Sequence, residues 1–125
     1  MRLAMGTLAL MVALALAGAG APQANAQTWP DKPVHVIVAF TPGSATDVIA
    51  RSMSNELSAR LGQPVIVENR PGAGGTIAAA QVAKAAPDGY TLLVNSSGHT
   101  VNPWIYAKLP YDTAKDLMGV SLLAR

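Results

Sequence analysis

The stretch that decides the fold is VHVIVAFTPGSATD, residues 34–47. Its first half, Val34 to Phe40, is an almost continuous apolar run rich in β-branched residues, which is typical of a strand buried on both faces. Thr41-Pro42-Gly43 breaks this run. Ser44 and Asp47 follow at the spacing of a capping box, in which each side chain accepts a hydrogen bond from an unpaired amide. The stretch therefore predicts a buried strand, a tight turn and the start of a helix.

The same order of strand, turn and helix recurs downstream. The first helix is predicted to end at Gly62 and to bury the face that carries Val48, Ile49, Ser52, Met53, Leu57 and Leu61. The later elements are predicted, in chain order, as a strand (65–67), a glycine-rich turn (69–75), a helix (76–84), a strand (91–94), a polar loop (95–98) and a last strand (120–124). Strands that alternate with helices indicate an α/β fold with a parallel sheet.

The first 26 residues have the pattern of a secretory signal peptide. Arg2 is followed by an apolar run from Leu3 to Ala19, and Ala24-Asn25-Ala26 supplies the small-x-small pattern that signal peptidase recognises. We expect cleavage after Ala26, which places the mature protein in the periplasm. The alternative is an uncleaved N-terminal anchor. The remaining residues, 27–125, suffice for one small domain.

Composition excludes several kinds of site. The chain contains no cysteine, which excludes disulfides, thiolate metal sites and a cysteine nucleophile. With two unrelated histidines and scattered acidic residues, we expect no metal and no cofactor. The mature part carries eight basic and seven acidic residues with the signs interspersed, so no nucleic-acid partner is expected. The large aromatic residues are too widely spaced for a stacking platform and are interpreted as packing residues: Trp29, Tyr90, Trp104, Tyr106 and Tyr111.

Three turns are predicted to follow the strands at one edge of the sheet. In an open parallel sheet, ligands bind beyond the carboxyl ends of the strands, where helix N-termini present unpaired amides. Glycines let those amides approach an anion without obstruction by a Cβ atom. The three turns span residues 41–47, 70–76 and 96–99. The sequence therefore predicts a site for a small acidic ligand.

Several of these residues have a second interpretation. The glycines of the second turn could simply form a tight turn, and they match neither a dinucleotide fingerprint nor a P-loop. Asp47 could cap the helix, contact a ligand ammonium group or hold a water. His99 could be an ordinary loop or helix residue. Arg70 could clamp a carboxylate, or it could pair with Glu68 or Asp88.

The ordered motifs of the mature chain resemble the tripartite tricarboxylate transporter substrate-binding proteins, also called the Bug family of extracytoplasmic solute receptors. The resemblance rests on five segments: WPDKPV (29–34), TDVIAR (46–51), VIVENRPGAGG (65–75), AAPDGYTLL (85–93) and LPYD (109–112). It departs from the family at Ser44 and Ala78, where members often have glycine, and in length, because members are considerably longer. We therefore expect the chain to be an N-terminal fragment, with residues 27–125 forming part of the first domain and a second domain absent.

The resemblance implies a two-domain Venus-flytrap receptor that captures a small carboxylate through backbone amides and ordered waters. The ligand-binding residues that it implies are Thr41, Gly43, Ser44, Ala45 and Asp47 in the first turn, Gly74, Gly75 and Thr76 in the second, and Ser96, Ser97, Gly98 and His99 in the third. It also implies delivery to the membrane components of a tripartite tricarboxylate-type transporter, without enzymatic activity and as a monomer. Two alternatives stay open. One is a truncated product that binds its ligand very weakly or not at all, and the other is an α/β enzyme that acts on a phosphorylated or acyl substrate. The enzyme alternative lacks a positioned base, nucleophile or metal cluster in the sequence.

Overall fold

The computed structural model describes residues 29–124. Its elements, in chain order, are β1 (Val34–Val38), α1 (Ala45–Leu61), β2 (Val65–Asn69), a 3-10 turn (Ala73–Gly75), α2 (Thr76–Ala83), β3 (Thr91–Val94) and α3 (Gly98–Ile105). The signal peptide and the cleavage position predicted above lie outside the described residues. Among residues 29–124, no helix is long and apolar enough to cross a membrane.

The three strands form one parallel sheet in the order β2-β1-β3. In the central strand, Val36 lies opposite Val67 of β2 and opposite Leu92 of β3. The parallel α/β prediction is therefore confirmed. Because β1 has a neighbour on both sides and a helix over each face, Val34, Val36, Ile37 and Val38 are almost completely buried.

The two faces of the sheet carry separate cores. On one face, Val36, Val38 and Val94 pack against Ala50 of α1. On the other face, Ile37 and Ala39 pack against Ala78 of α2. Ala78 is fully buried, so its methyl group is part of this core. This is the position where the resembled family often has glycine.

The buried stripe of α1 differs from the predicted one. Asp47, Ala50 and Ser54 are the buried residues of this helix, whereas Val48 is 56% exposed and Ser52 also faces solvent. The apolar residues spaced four apart, from Ile49 to Leu61, are half-buried along the flank of the stripe. The prediction for Val48 and Ser52 was wrong because the buried line of α1 runs along Asp47, Ala50 and Ser54, on a different side of the helix from these two residues.

One predicted strand, one loop boundary and one aromatic residue differ from the prediction. Residues 120–124 are not a strand, because no described strand lies beside them to pair with their backbone, and Val120 is 81% exposed. The third loop is shorter than predicted, since Gly98 already begins α3. Trp104, interpreted as a packing residue, is 89% exposed on α3.

The N-terminal entry is fixed to the turn before β3. Tyr90 Oη donates to Asp31 Oδ1 over 2.6 Å and accepts from the Asp31 amide over 2.9 Å. The Lys32 ammonium lies 4.2 Å from the centre of the Tyr90 ring, and the Trp29 ring packs on the same tyrosine at 5.8 Å. Trp29 and Tyr90 therefore act as packing residues, and they do so at the edge of the sheet opposite the predicted site.

Replacing Ile37 with Val should lower the free energy of unfolding by about 0.5–1.5 kcal/mol, because Ile37 is 1% exposed and the smaller side chain leaves a gap under α2. The control is Ile66→Val on the neighbouring strand, where Ile66 is 41% exposed. Denaturant unfolding curves of the two variants check the prediction. Equal losses at both positions would mean that the core under α2 is not packed as described.

Candidate functional site

The three predicted turns lie at one edge of the sheet. Strands β1, β2 and β3 run in parallel, so their carboxyl ends, Val38, Asn69 and Val94, lie at the same edge and each is followed by a turn. The backbone joins the three strand ends directly. The Arg70 amide donates to the Val38 carbonyl over 2.8 Å, and the Ala39 amide donates to the Val94 carbonyl over 3.1 Å. The turns that were predicted to act together therefore start side by side.

The first turn ends in the N-cap of α1. Ser44 Oγ accepts the Asp47 amide over 3.3 Å, and the Ser44 amide donates to the Thr41 carbonyl over 3.2 Å. The next two amides, those of Ala45 and Thr46, have no acceptor among the described residues. The predicted cap is confirmed, and the first turn presents two open amides at the N-terminus of a 17-residue helix.

Asp47 is 3% exposed and its two carboxylate oxygens are occupied. Oδ1 accepts from Arg51 Nε over 3.0 Å and from Asn69 Nδ2 over 2.8 Å, and Oδ2 accepts from the Gly43 amide over 2.9 Å. The amide that it caps is thus that of Gly43 rather than that of Ser44, one residue earlier than a capping box requires. The hydrogen bond from Arg51, followed by those from Gly43 and Asn69, lowers the pKa of Asp47 from 3.8 to about 2.

The second turn has an unusual backbone. Ala73, Gly74 and Gly75 all have positive φ, at 45°, 61° and 87°. A left-handed residue with a Cβ atom is strained by about 1–2 kcal/mol, so Ala73 stores strain in this turn. The Gly75 amide donates to the Gly72 carbonyl over 2.9 Å, while the Gly74 amide has no acceptor among the described residues. Thr76, buried at 8% exposure, then begins α2.

Three side chains that were not among the predicted site residues surround the two glycines. A Cβ atom at Gly75 would lie 2.8 Å from Asn95 Oδ1, and one at Gly74 would lie 3.3 Å from Tyr106 Oη. Asn102, in α3, donates its Nδ2 to the Gly74 carbonyl over 3.2 Å. These residues lie 20 to 32 positions along the chain from the turn, so no local pattern could have identified them. A side chain at position 75 would displace Asn95, and one at position 74 would require Tyr106 to shift by a few tenths of an ångström.

The third turn leads into α3, and the amides of Ser97 and Gly98 have no acceptor among the described residues. Ser96 and Ser97 are exposed, and their carbonyls accept the amides of His99 and Thr100 over 3.0 and 3.1 Å. The His99 ring stacks against Tyr111, with ring centres 6.1 Å apart, and its Nδ1 is buried without a partner among the described residues. Burial lowers the pKa of His99, which favours the neutral ring. A ligand contact by His99 stays a prediction.

The charged side chains near the turns are paired. Arg70 donates to Glu68 Oε2 over 3.0 Å, which confirms one of the two interpretations given for this arginine. Arg51 is paired with Asp47. Within residues 29–124, no cluster of three or more His, Asp or Glu residues is placed to hold a metal ion. The unpaired donors at this edge are therefore backbone amides, while Arg51 and Arg70 have carboxylate partners.

Replacing Asp47 with Asn should make stability less dependent on pH. The folded-state pKa of Asp47, about 2, lies below its ordinary value of 3.8, so the carboxylate stabilises the fold above pH 4 and this stabilisation is lost as the pH falls through 2. The variant should be less stable at pH 7, and its stability should fall less between pH 4 and pH 2. Unfolding curves across this range provide the measurement.

The control for this prediction is Glu56→Gln, which removes an exposed ion pair with Arg60 from the same helix. Exposed pairs contribute little to stability, so its curve should follow that of the unchanged chain. If Asp47→Asn and Glu56→Gln behaved alike, the buried network around Asp47 would not stabilise the first turn.

Comparison with known proteins identifies the family. The family described as "Tripartite tricarboxylate transporter family receptor" (TctC) matches residues 49–125. The protein BugT of Bordetella pertussis is 46% identical over 112 residues, which cover 88% of this chain and 34% of BugT. The chain spans about a third of the length of the curated relatives that it matches.

Solved structures agree with this assignment. The periplasmic binding protein BugD superposes with a TM-score of 0.67 at 41% identity, over 70% of this chain and 29% of BugD. MatC of Rhodopseudomonas palustris, solved with bound malate, superposes with a TM-score of 0.68 at 42% identity, over 76% of this chain and 33% of MatC. The chain belongs to the tripartite tricarboxylate transporter receptor family, whose Bug members the sequence motifs already resembled.

Proposed function

We propose that this chain forms part of the binding cleft of a receptor that captures a small carboxylate for a tripartite tricarboxylate-type transporter. The observation that carries the proposal is the convergence of three turns at the carboxyl edge of the sheet, each of which presents unpaired amides. One carboxylate of the ligand would accept hydrogen bonds from the amides of Ala45, Thr46 and Gly74, directly or through water.

The electrostatics of the edge favour this ligand. The N-terminus of α1 carries a partial positive charge that is strongest within its first turn, where Ala45 and Thr46 lie. Asp47 would repel an anion, but its charge is compensated by Arg51 and by the Asn69 and Gly43 donors. A neutral His99 adds no charge of its own. The site therefore suits an anion that is recognised by hydrogen-bond geometry more than by a cationic side chain.

The relatives support a carboxylate over a phosphate. The MatC structure holds malate, a small dicarboxylate, and MatC shares 42% of its residues with this chain over the matched region. No Gly-Lys-Ser/Thr motif follows the glycines of the second turn, as a P-loop would require. A dicarboxylate with its two groups separated by a short carbon chain is accordingly the ligand class that we propose.

The proposal includes export to the periplasm. The TctC family is described as a receptor family, and BugD is a periplasmic binding protein. The sequence of residues 1–26 has the charged start, apolar run and small-residue ending that export requires. N-terminal sequencing of the periplasmic protein should begin at Gln27, and an intact Met1 on a membrane-bound product would contradict cleavage.

A receptor role is preferred over an enzymatic one. The described residues near the three turns offer an occupied carboxylate at Asp47 and a stacked histidine at His99, and neither is within hydrogen-bond reach of a nucleophile in the described structure. General acid–base catalysis needs such a pair beside the substrate. We propose that the protein binds its ligand without converting it.

Replacing Gly74 with Val should abolish or strongly weaken malate binding. The change places a branched side chain in a left-handed position and 3.3 Å from Tyr106 Oη, so the amide edge of the second turn can no longer approach an anion. The measurement is an NMR titration of the 15N-labelled chain with malate up to millimolar concentration. In the unchanged chain, the amide signals of Ala45, Thr46, Gly74 and Gly75 should shift together.

The matched control is Gly119→Val, where a Cβ atom would meet nothing within 4 Å. This variant should respond to malate as the unchanged chain does. The neutral diamide of malate should cause no shift, because it lacks the charge that the amides recognise. A folded Gly74→Val chain that still binds malate normally would show that the second turn is not a ligand site.

A further inference from the structure

The second turn has a shape that its own sequence does not favour. Ala73, Gly74 and Gly75 form a left-handed run directly before the right-handed helix α2, and Ala73 has a Cβ atom that opposes this conformation. Within the turn, the Gly75 amide donates to the Gly72 carbonyl and the Thr76 amide donates to the Ala73 carbonyl, so these bonds do not connect the turn to the rest of the fold. Strained backbone persists only where the surroundings fix it, so the turn requires an external contact.

Asn102 supplies that contact. Its side-chain Nδ2 donates to the Gly74 carbonyl over 3.2 Å, although the two residues are 28 positions apart in the sequence. Asn102 is 3% exposed, and its own carbonyl accepts the Tyr106 amide over 3.0 Å at the end of α3. The donor is therefore carried by the one buried residue of helix α3 rather than by a loop. Asn69, Asn95 and Asn102 lie near the turns, and Asn102 is the one that forms a hydrogen bond with the backbone of residues 73–75.

The geometry of a peptide links this contact to the proposed site. Within one planar peptide unit the carbonyl and the following amide point in opposite directions. Holding the Gly74 carbonyl toward Asn102 thus directs the Gly75 amide away from α3 and toward Gly72, whose carbonyl accepts it over 2.9 Å. The unpaired Gly74 amide belongs to the preceding peptide unit, and the φ and ψ of Gly74, 61° and 25°, set its direction relative to the peptide that Asn102 holds.

We propose that Asn102 is a positioning residue that holds the second turn in the shape that receives the ligand. It acts on the ligand through the Gly74 peptide and does not contact the ligand itself. The ligand part of this inference rests on the proposed carboxylate-binding function, whereas the effect on the turn does not. Asn102 in α3 would thus have a role that is separate from the ligand contacts predicted for residues 96–99 of the third turn.

The test replaces Asn102 with Ala in the 125-residue chain and measures amide hydrogen exchange of Gly75 by NMR. The Gly75 amide is protected by its bond to Gly72, so loss of the Asn102 contact should speed its exchange by about two- to tenfold, the factor that one hydrogen bond of ordinary net strength represents. Ser54→Ala is the matched control. It removes a buried hydrogen bond, 2.6 Å from Ser54 Oγ to the Ala50 carbonyl, on the other side of the sheet.

Ser54→Ala should leave the exchange of Gly75, relative to that of the β1 amides, unchanged. If Asn102→Ala also left the relative exchange rate of the Gly75 amide unchanged, the positioning role of Asn102 would be overturned. If Asn102→Ala did not fold, Asn102→Ser would serve in its place, since serine is too short to reach the carbonyl while still filling part of the space. Faster exchange of the Gly75 amide in Asn102→Ser would support the positioning role, and an unchanged rate would overturn it.

A second arm separates this inference from the proposed function. In Asn102→Ala, malate should bind more weakly by a similar factor, and adding Ala73→Gly should recover part of the loss because glycine adopts the left-handed conformation without strain. Faster exchange with unchanged malate binding would overturn the link to the ligand. An unchanged chain that does not respond to malate at all would refute the proposed function, while the exchange result would still decide the role of Asn102 in the turn.

Discussion

Strand β1 lies between β2 and β3 and pairs in parallel with both. Parallel pairing brings all the carboxyl ends to one edge, so each chain reversal that follows a strand starts beside the other two. The pairing also requires a helix over each face, because a central parallel strand is apolar on both sides. The cores beneath α1 and α2, and the juxtaposition of the three turns, both follow from this arrangement.

Polar side chains then join the turns across the edge. Asn69 ends β2 and donates to both the Phe40 carbonyl and Asp47, which ties the first turn to the second strand. Asn102 ties the second turn to α3, and Asn95 occupies the space that Gly75 leaves. An asparagine can donate and accept at once, so it suits a junction between backbone segments. These side-chain amides connect the turns, while the backbone amides of Ala45 and Thr46 are left open.

Much of the fold could be predicted from the sequence because it depends on local patterns. The apolar run of β1, the Ser44 cap and the Gly62 stop lie within residues 34–62, and all three are found in the structure. The predicted strand at residues 120–124 failed because a strand is defined by its neighbour, which composition cannot reveal. The helix at 98–105 was missed since it is two turns long, begins with glycine and contains Pro103.

The site could be predicted only in part, for a similar reason. Glycine-rich turns after strands are visible in the sequence, and parallel pairing makes them converge. Asp47 was identified, but its full set of partners depends on Arg51 and Asn69. Asn102 and Tyr106 follow the second turn by about 30 positions in the sequence. They reach it because α3 lies beside the turn in the folded chain. Long-range contacts of this kind decide the shape of the turn.

The position of the ligand can be decided by a crystal structure of the protein with malate bound. We expect one malate carboxylate at the carboxyl edge of the sheet, within hydrogen-bond distance of the amides of Ala45, Thr46 and Gly74 or joined to them by one water. Asp47 should keep its bond to Arg51 in the complex. Malate held by Arg70, or bound away from the three turns, would show that these amides do not form the binding site.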